Sequence, residues 1–117
     1  MKKLIIIISC AFLLCGCERR APYQVISQEE AVSKIAEGAI LIDVRTPYEY
    51  KEGHIEGAIS LPNDTIEVTI TKKVPDKNTS IIVYCRSGSR SKEAANTLLK
   101  LGYQNVYDFG AMENWVV

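Results

Sequence analysis

"SIIVYCRSGSRS", residues 80–91, decides how the rest of this 117-residue chain reads. After Ser80, Ile81 to Cys85 is an unbroken run of apolar, mostly β-branched or aromatic residues, and 80–85 carries the signature of a strand. It stops at a cysteine. Arg86, Ser87, Gly88 and Ser89 then form a small, polar loop. From Arg90 to Leu101 the apolar residues Ala94, Ala95, Leu98, Leu99 and Leu101 lie on one helical face, and Gly102 supplies the stop. A strand that runs through a tight loop directly into a helix is one half of a βαβ unit.

The same alternation extends outward in both directions. Ser27-Gln28-Glu29-Glu30 is a capping box, so a helix is expected through Ala36 with Gly38 as its left-handed stop. "AILIDV", 39–44, is continuous and apolar until its aspartate, which suits a strand buried on both faces. Thr46-Pro47-Tyr48-Glu49 is a second capping box, opening a short helix that ends at Gly53. A turn at Gly57 leads to a small strand around Ala58–Leu61. Asn63 or Asp64 is then the expected cap of a third helix reaching about Lys73. "PDKN", 75–78, is a turn, "NVYDF", 105–109, a last strand, and "GAMENW", 110–115, a terminal helical turn. Strands alternating with helices predict an α/β fold: a mostly parallel central sheet with helices on both faces and a ligand site at the strand carboxyl ends.

The amino terminus is organised differently. Lys2 and Lys3 precede an apolar segment, Leu4–Leu14, that is too short for a comfortable bilayer span of about 20 residues. It ends in "LCGC", Leu14–Cys17, which resembles the lipobox of bacterial lipoproteins. That resemblance implies removal of residues 1–16, lipidation of Cys17, a tether over 17–23 and a globular domain over 24–117, held at a membrane of the bacterial cell envelope and facing the periplasm or exterior. An uncleaved anchor helix is the other reading. Loss of Lys2 and Lys3 leaves 12 basic against 14 acidic residues, and nothing in this balance points to nucleic acid. Of four cysteines, Cys10 and Cys15 depart with the signal and Cys17 takes lipid, leaving Cys85 as the one free thiol. An unpaired thiol outside the cytoplasm is exposed to oxidation and calls for a chemical reason.

The loop supplies that reason. Ser87, Gly88 and Ser89 allow the backbone to curl so that successive amides face one centre, and the following helix aims its positive end there. The natural occupant is an anion, first of all the thiolate of Cys85, without help from the single distant histidine, His54. Cysteine phosphatases place an arginine six positions after the cysteine; here Arg90 stands at five and Ser91 at six, a shorter ring better matched to one terminal sulfur than to a phosphate. The competing readings are an inert buried thiol at Cys85, a solvated Arg86, and Arg90 as a helix-surface charge. Asp43, Arg45 and Glu49 are expected to form a structural network across a strand end, His54 to fix a turn, and Trp115 to pack at the core or rim.

"DVRTPYEYKEGHIEGAISLP" (43–62), "IIVYCRSGSRS" (81–91) and "GAMENW" (110–115) together resemble the single-domain rhodaneses, in that family's order and over residues 24–117. Ala111 departs from the glycine pair common there. The resemblance implies sulfurtransfer: Cys85 as nucleophile takes a sulfane sulfur from thiosulfate or a similar small anionic donor, becomes a persulfide, and delivers the sulfur to cyanide or a thiol. It further implies that Arg86, Ser87, Gly88, Ser89 and Arg90 form the substrate-binding loop, their amides on the persulfide and the two guanidiniums on the donor. No metal and no organic cofactor is expected. A persulfide carrier without turnover, or a partner-binding module, remains the alternative.

Overall fold

The three-dimensional structure, a computed structural model, describes residues 23–117. The signal segment, Cys17 and most of the tether lie outside the described residues. Five strands form one wholly parallel sheet: β1 (Gln24–Val25), β2 (Ile40–Asp43), β3 (Ile59–Ser60), β4 (Ser80–Cys85) and β5 (Asn105–Ala111), in the order β1-β5-β4-β2-β3. Four helices connect them: α1 (Gln28–Ala36), α2 (Pro47–Glu52), α3 (Ile66–Lys73) and α4 (Ser89–Lys100). The chain therefore has the mostly parallel α/β architecture that the alternating elements predict.

Alternation along the strands sends side chains into two cores. Ile42, Ile81, Val83 and Cys85 face α3 and α4, meeting Ile66, Ile70, Ala94, Ala95 and Leu98. Leu41, Ile82 and Tyr84 face the opposite way, meeting Ala31 of α1 together with Ile55 and Ala58. Ile81, Ile82 and Val83 are wholly buried, each worth about 1.5–3 kcal/mol of transfer free energy before ordering costs. β4 is thus the sheet's rigid centre. It is also where strand order reverses. β2 leads through α2 to β3 on one side, and β4 leads through α4 to β5 on the other. Their connections leave on opposite faces and open a crevice at the strand carboxyl ends.

Both capping boxes form. Glu30 N–H donates to Ser27 Oγ at 3.1 Å, and Glu49 N–H donates to Thr46 Oγ1 at 3.2 Å; each glutamate reaches back to its cap amide at 3.0 Å. Three expectations are corrected. α3 begins at Ile66 behind Thr65, with no side-chain cap, because Asn63 is engaged elsewhere: its N–H donates to Val44 O and its amide group to Glu93 of α4. α4 begins at Ser89, not Arg90, with Gly88 as its cap. β5 runs two residues beyond Phe109, because a register shift near Gly110, at φ +91°, lets Gly110 and Ala111 pair with Tyr84 and Cys85. Only Met112–Asn114 remains for the terminal turn. Trp115 packs edge-on against Phe109, with ring centroids 5.2 Å apart.

A buried polar knot holds the crevice's floor. Arg45 donates to both carboxylate oxygens of Asp43, the shortest contact being 2.7 Å, and its Nη2 also donates to Gly53 O at the end of α2. Tyr84 O–H donates to Asp43 Oδ2 at 2.8 Å and accepts from Ile55 N–H at 3.0 Å. One carboxylate thereby ties β2, the α2 terminus and β4 together. Glu49 stands outside this knot, contrary to the single network expected of the three residues. Its helix turns it outward, toward α4. His54 stays at the turn, Nδ1 2.8 Å from Tyr50 O and its ring stacked on Tyr50.

Replacing Arg45 with Ala should cost about 3–5 kcal/mol, because Asp43 would remain buried as an uncompensated charge. Chemical denaturation of the wild type and of Arg45→Ala measures this; a loss below about 1 kcal/mol would mean that water replaces the guanidinium there.

Candidate active site

Cys85 closes β4 at the crevice and is 1% exposed. Two main-chain donors converge on its sulfur: Gly88 N–H at 2.9 Å and Ser91 N–H at 3.3 Å. The geometry follows from the local sequence. The strand pins the backbone of Cys85. Gly88 adopts φ +107°, a left-handed conformation that a side chain would strain, and so reverses the chain at once. α4 then begins, and the amides of its first turn have no partners within the helix. Ser91 is the third residue of that helix, so its free N–H points at the sulfur. The positive end of the 12-residue α4 lies at the same place.

The sequence-predicted loop comes together, with its roles divided unequally. Of the amides from Arg86 to Arg90, the one bonded to sulfur is that of Gly88. Ser87 and Ser89 are exposed. The second donor, Ser91, lies one residue beyond the predicted set. It was legible in principle: with the helix starting at Ser89 or at Arg90, Ser91 falls in its first turn, where an amide has no partner within the helix. Ser91 is wholly buried, and its Oγ donates to Gly88 O at 3.1 Å.

Neither arginine stands free at the mouth. Arg90 makes two bonds to Glu49, Nη1 to Oε1 at 2.8 Å and Nη2 to Oε2 at 3.2 Å. Arg86 is largely exposed and reaches Glu49 Oε2 more loosely, Nε at 3.3 Å. Glu49 was expected to be structural, and it does cap α2; the tertiary fold adds a clasp from α2 to α4 across the crevice. The Arg90 guanidinium, aided by the Thr46 amide, holds the Glu49 carboxyl well below the usual glutamate range, and the same pairing raises Arg90.

Residues 27–117 match the family model described as "Rhodanese-like domain". The chain belongs to the rhodanese-like family. It is 38% identical over 73 residues to "Thiosulfate sulfurtransferase PspE" of Escherichia coli, covering 62% of this chain and 70% of that protein. Among solved structures it resembles "rhodanese with anions from E. coli", at 36% identity and TM-score 0.63, covering 66% of this chain and 91% of the other. It also resembles the human single-domain sulfurtransferase TSTD1, at 27% identity and TM-score 0.69, covering 82% and 96%. In this rhodanese-like chain the crevice at the end of β4 is accordingly the place to look for chemistry.

The clasp has a pH signature. A carboxyl held low in the folded state stabilises the fold fully above its unfolded pKa of about 4.3, and that stability is lost as pH falls through the folded value. Thermal unfolding of the wild type should therefore lose ground on acidification below about pH 4.5, and Glu49→Gln should show a shallower loss over the same range. Parallel curves for the two proteins would mean that the Glu49–Arg90 pair contributes nothing to folding.

Proposed function

We propose that this rhodanese-like protein is a sulfurtransferase that carries a sulfane sulfur on Cys85. The observation behind this reading is the pair of main-chain donors, Gly88 and Ser91, aimed at the sulfur from the head of α4. Donors fixed by the backbone favour a negative charge at that point and need no rearrangement as it develops. Kinship with a thiosulfate sulfurtransferase, and likeness to a rhodanese structure described with anions, support the same chemistry.

In the first step the Cys85 thiolate attacks the outer sulfur of thiosulfate. A bond forms between Sγ and that sulfur, the sulfur–sulfur bond of thiosulfate breaks, and sulfite leaves with the bonding pair. The Cys85 persulfide keeps the single negative charge. In the second step a thiophilic acceptor, cyanide or a thiolate, attacks the terminal sulfur and Cys85 leaves as thiolate. With cyanide the product is thiocyanate. The terminal persulfide sulfur, one bond further out than Sγ, meets the mouth of the loop, where Arg86, Ser87, Gly88, Ser89 and Arg90 surround it. Arg86, held to Glu49 by one loose contact, is the guanidinium more readily released to meet the donor's sulfonate. Arg90, bound twice to Glu49, braces the loop and meets the donor only by exchanging that partner.

Incubation with thiosulfate should add one sulfur atom to the intact mass of the protein, cyanide should remove it, and Cys85→Ser should never acquire it. Failure of the wild type to gain sulfur would refute the reading. Efficient loading followed by slow delivery to every small acceptor would instead identify a carrier serving a protein partner. Arg86→Ala should raise KM for thiosulfate by about tenfold with kcat little changed, the mark of a binding contact rather than a transition-state one.

We also propose that Cys17 is acylated and holds this domain at a membrane of the bacterial cell envelope, after removal of residues 1–16. Support comes from "LCGC" behind a short positive and apolar segment. Labelled fatty acid should mark the wild type and spare Cys17→Ala; equal labelling of both would remove the anchor.

A further inference from the structure

Glu49 puts a negative charge at the mouth of an anion site, and the steps above give that charge no role. Its carboxylate collects bonds from two directions. On its own helix, Oε1 accepts from the Thr46 amide at 3.0 Å and from Thr46 Oγ1 at 3.1 Å. Across the crevice the same oxygen accepts from Arg90 Nη1 at 2.8 Å, and Oε2 accepts from Arg90 Nη2 at 3.2 Å and Arg86 Nε at 3.3 Å. These partners differ in freedom. The Glu49 side chain is 16% exposed and is pinned by the cap of α2, whereas Arg90 is 34% exposed and Arg86 69%. An arginine side chain is long and turns about several bonds. An arriving anion can therefore draw a guanidinium away, but the carboxylate stays where its cap holds it.

The charges that meet here leave little to spare. Two guanidiniums face one carboxylate, an excess of one positive charge. The Cys85 thiolate takes up that excess: Arg90 stands between Gly88 and Ser91 in the chain, and the amides of both bond the sulfur. Asp43 and Arg45 cancel each other deeper in the crevice. Once the thiolate has formed, these side chains sum to zero. A dianion such as thiosulfate brings a second charge that no side chain here offsets, beside a carboxylate that cannot retreat. A monoanion meets half that repulsion, because Coulomb energy scales with the product of the charges.

We propose that Glu49 sets the charge selectivity of the site: held at the mouth by its own helix cap, it handicaps dianionic sulfane donors and favours monoanionic ones, organic thiosulfonates and hydropersulfide anions. Thiosulfate is then a donor the site accepts against a standing repulsion, and the better-matched donors carry one charge. The choice of donor rests on the sulfurtransferase reading. The preference for one negative charge over two is a property of the mouth itself.

That preference can be read without sulfur transfer, on the full chain in nonionic detergent. Sulfate and methanesulfonate, inert anions of two charges and one, are titrated at constant ionic strength while NMR follows the amides of residues 86–90. Glu49→Gln should tighten sulfate about tenfold and methanesulfonate about threefold. Glutamine serves in a capping box as glutamate does, so α2 keeps its start. Glu49→Asp, which keeps the charge and shortens the reach, should preserve the wild-type ratio between the two anions. Loading of Cys85 should follow the same order. In Glu49→Gln the rate from thiosulfate should rise more than the rate from methanethiosulfonate, which gives up its outer sulfur and leaves as methanesulfinate with the bonding pair. Equal tightening of both anions, or none, would overturn the proposal. So would Glu49→Gln and Glu49→Asp changing the ratio alike, because Glu49 would then be a brace whose charge decides nothing. If the anion shifts appear but the wild type takes sulfur from neither donor, the charge preference stands and the sulfurtransferase reading falls.

Discussion

The convergence of two peptide N–H groups on one sulfur sets the demands that the rest of the molecule meets. Gly88 and Ser91 can reach Cys85 only if the strand ends at the cysteine, the loop reverses within three residues, and the helix begins at once. Each demand has its own support. β4 is immobilised between β2 and β5, with both faces buried. Reversal falls to Gly88, in a backbone conformation that other residues adopt only with strain. Close packing of α4 on the sheet follows from its small Ala94 and Ala95. Donors held by secondary structure on both sides stay oriented as charge arrives at sulfur.

Polar groups around the crevice form two layers with different duties. Asp43, Arg45 and Tyr84 are buried and bind one another, locking the ends of β2 and β4 at a fixed separation. Above them Glu49 joins Arg90, and more weakly Arg86, at the partly solvated surface. The deep layer is insulated from salt and solvent, whereas the upper one competes with both. An anion arriving at the mouth therefore meets arginines already partnered by a carboxylate. Affinity there is a difference between two ionic contacts rather than the sum of two guanidiniums.

Much of this was legible before any coordinates. The strand at 80–85, both capping boxes, the helix stops at Gly38 and Gly53, and the candidate cysteine all follow from short-range rules acting within about four residues. The start of α4 was missed by one residue at a local cap, whereas three other misreadings share one cause, contacts between residues distant in sequence. Asn63 looked like a helix cap but is used by Val44 and Glu93. Residues 110–115 were expected to form a helical turn, and the pairing of β5 with β4 carries the strand through Ala111 instead. Glu49 read as a partner of Arg45, two turns of logic that are local and sound, until α4 packed close enough to offer Arg90.

Sequence alone determined the order of elements, the one thiol placed at a strand-to-helix junction, and the class of chemistry open to it, because secondary structure and turn chemistry are decided by neighbours along the chain. Tertiary structure decided which groups touch that sulfur and which carboxylate restrains the arginines. Those choices depend on strand register and helix packing, where a one-residue shift redirects every side chain, and no local pattern encodes the shift.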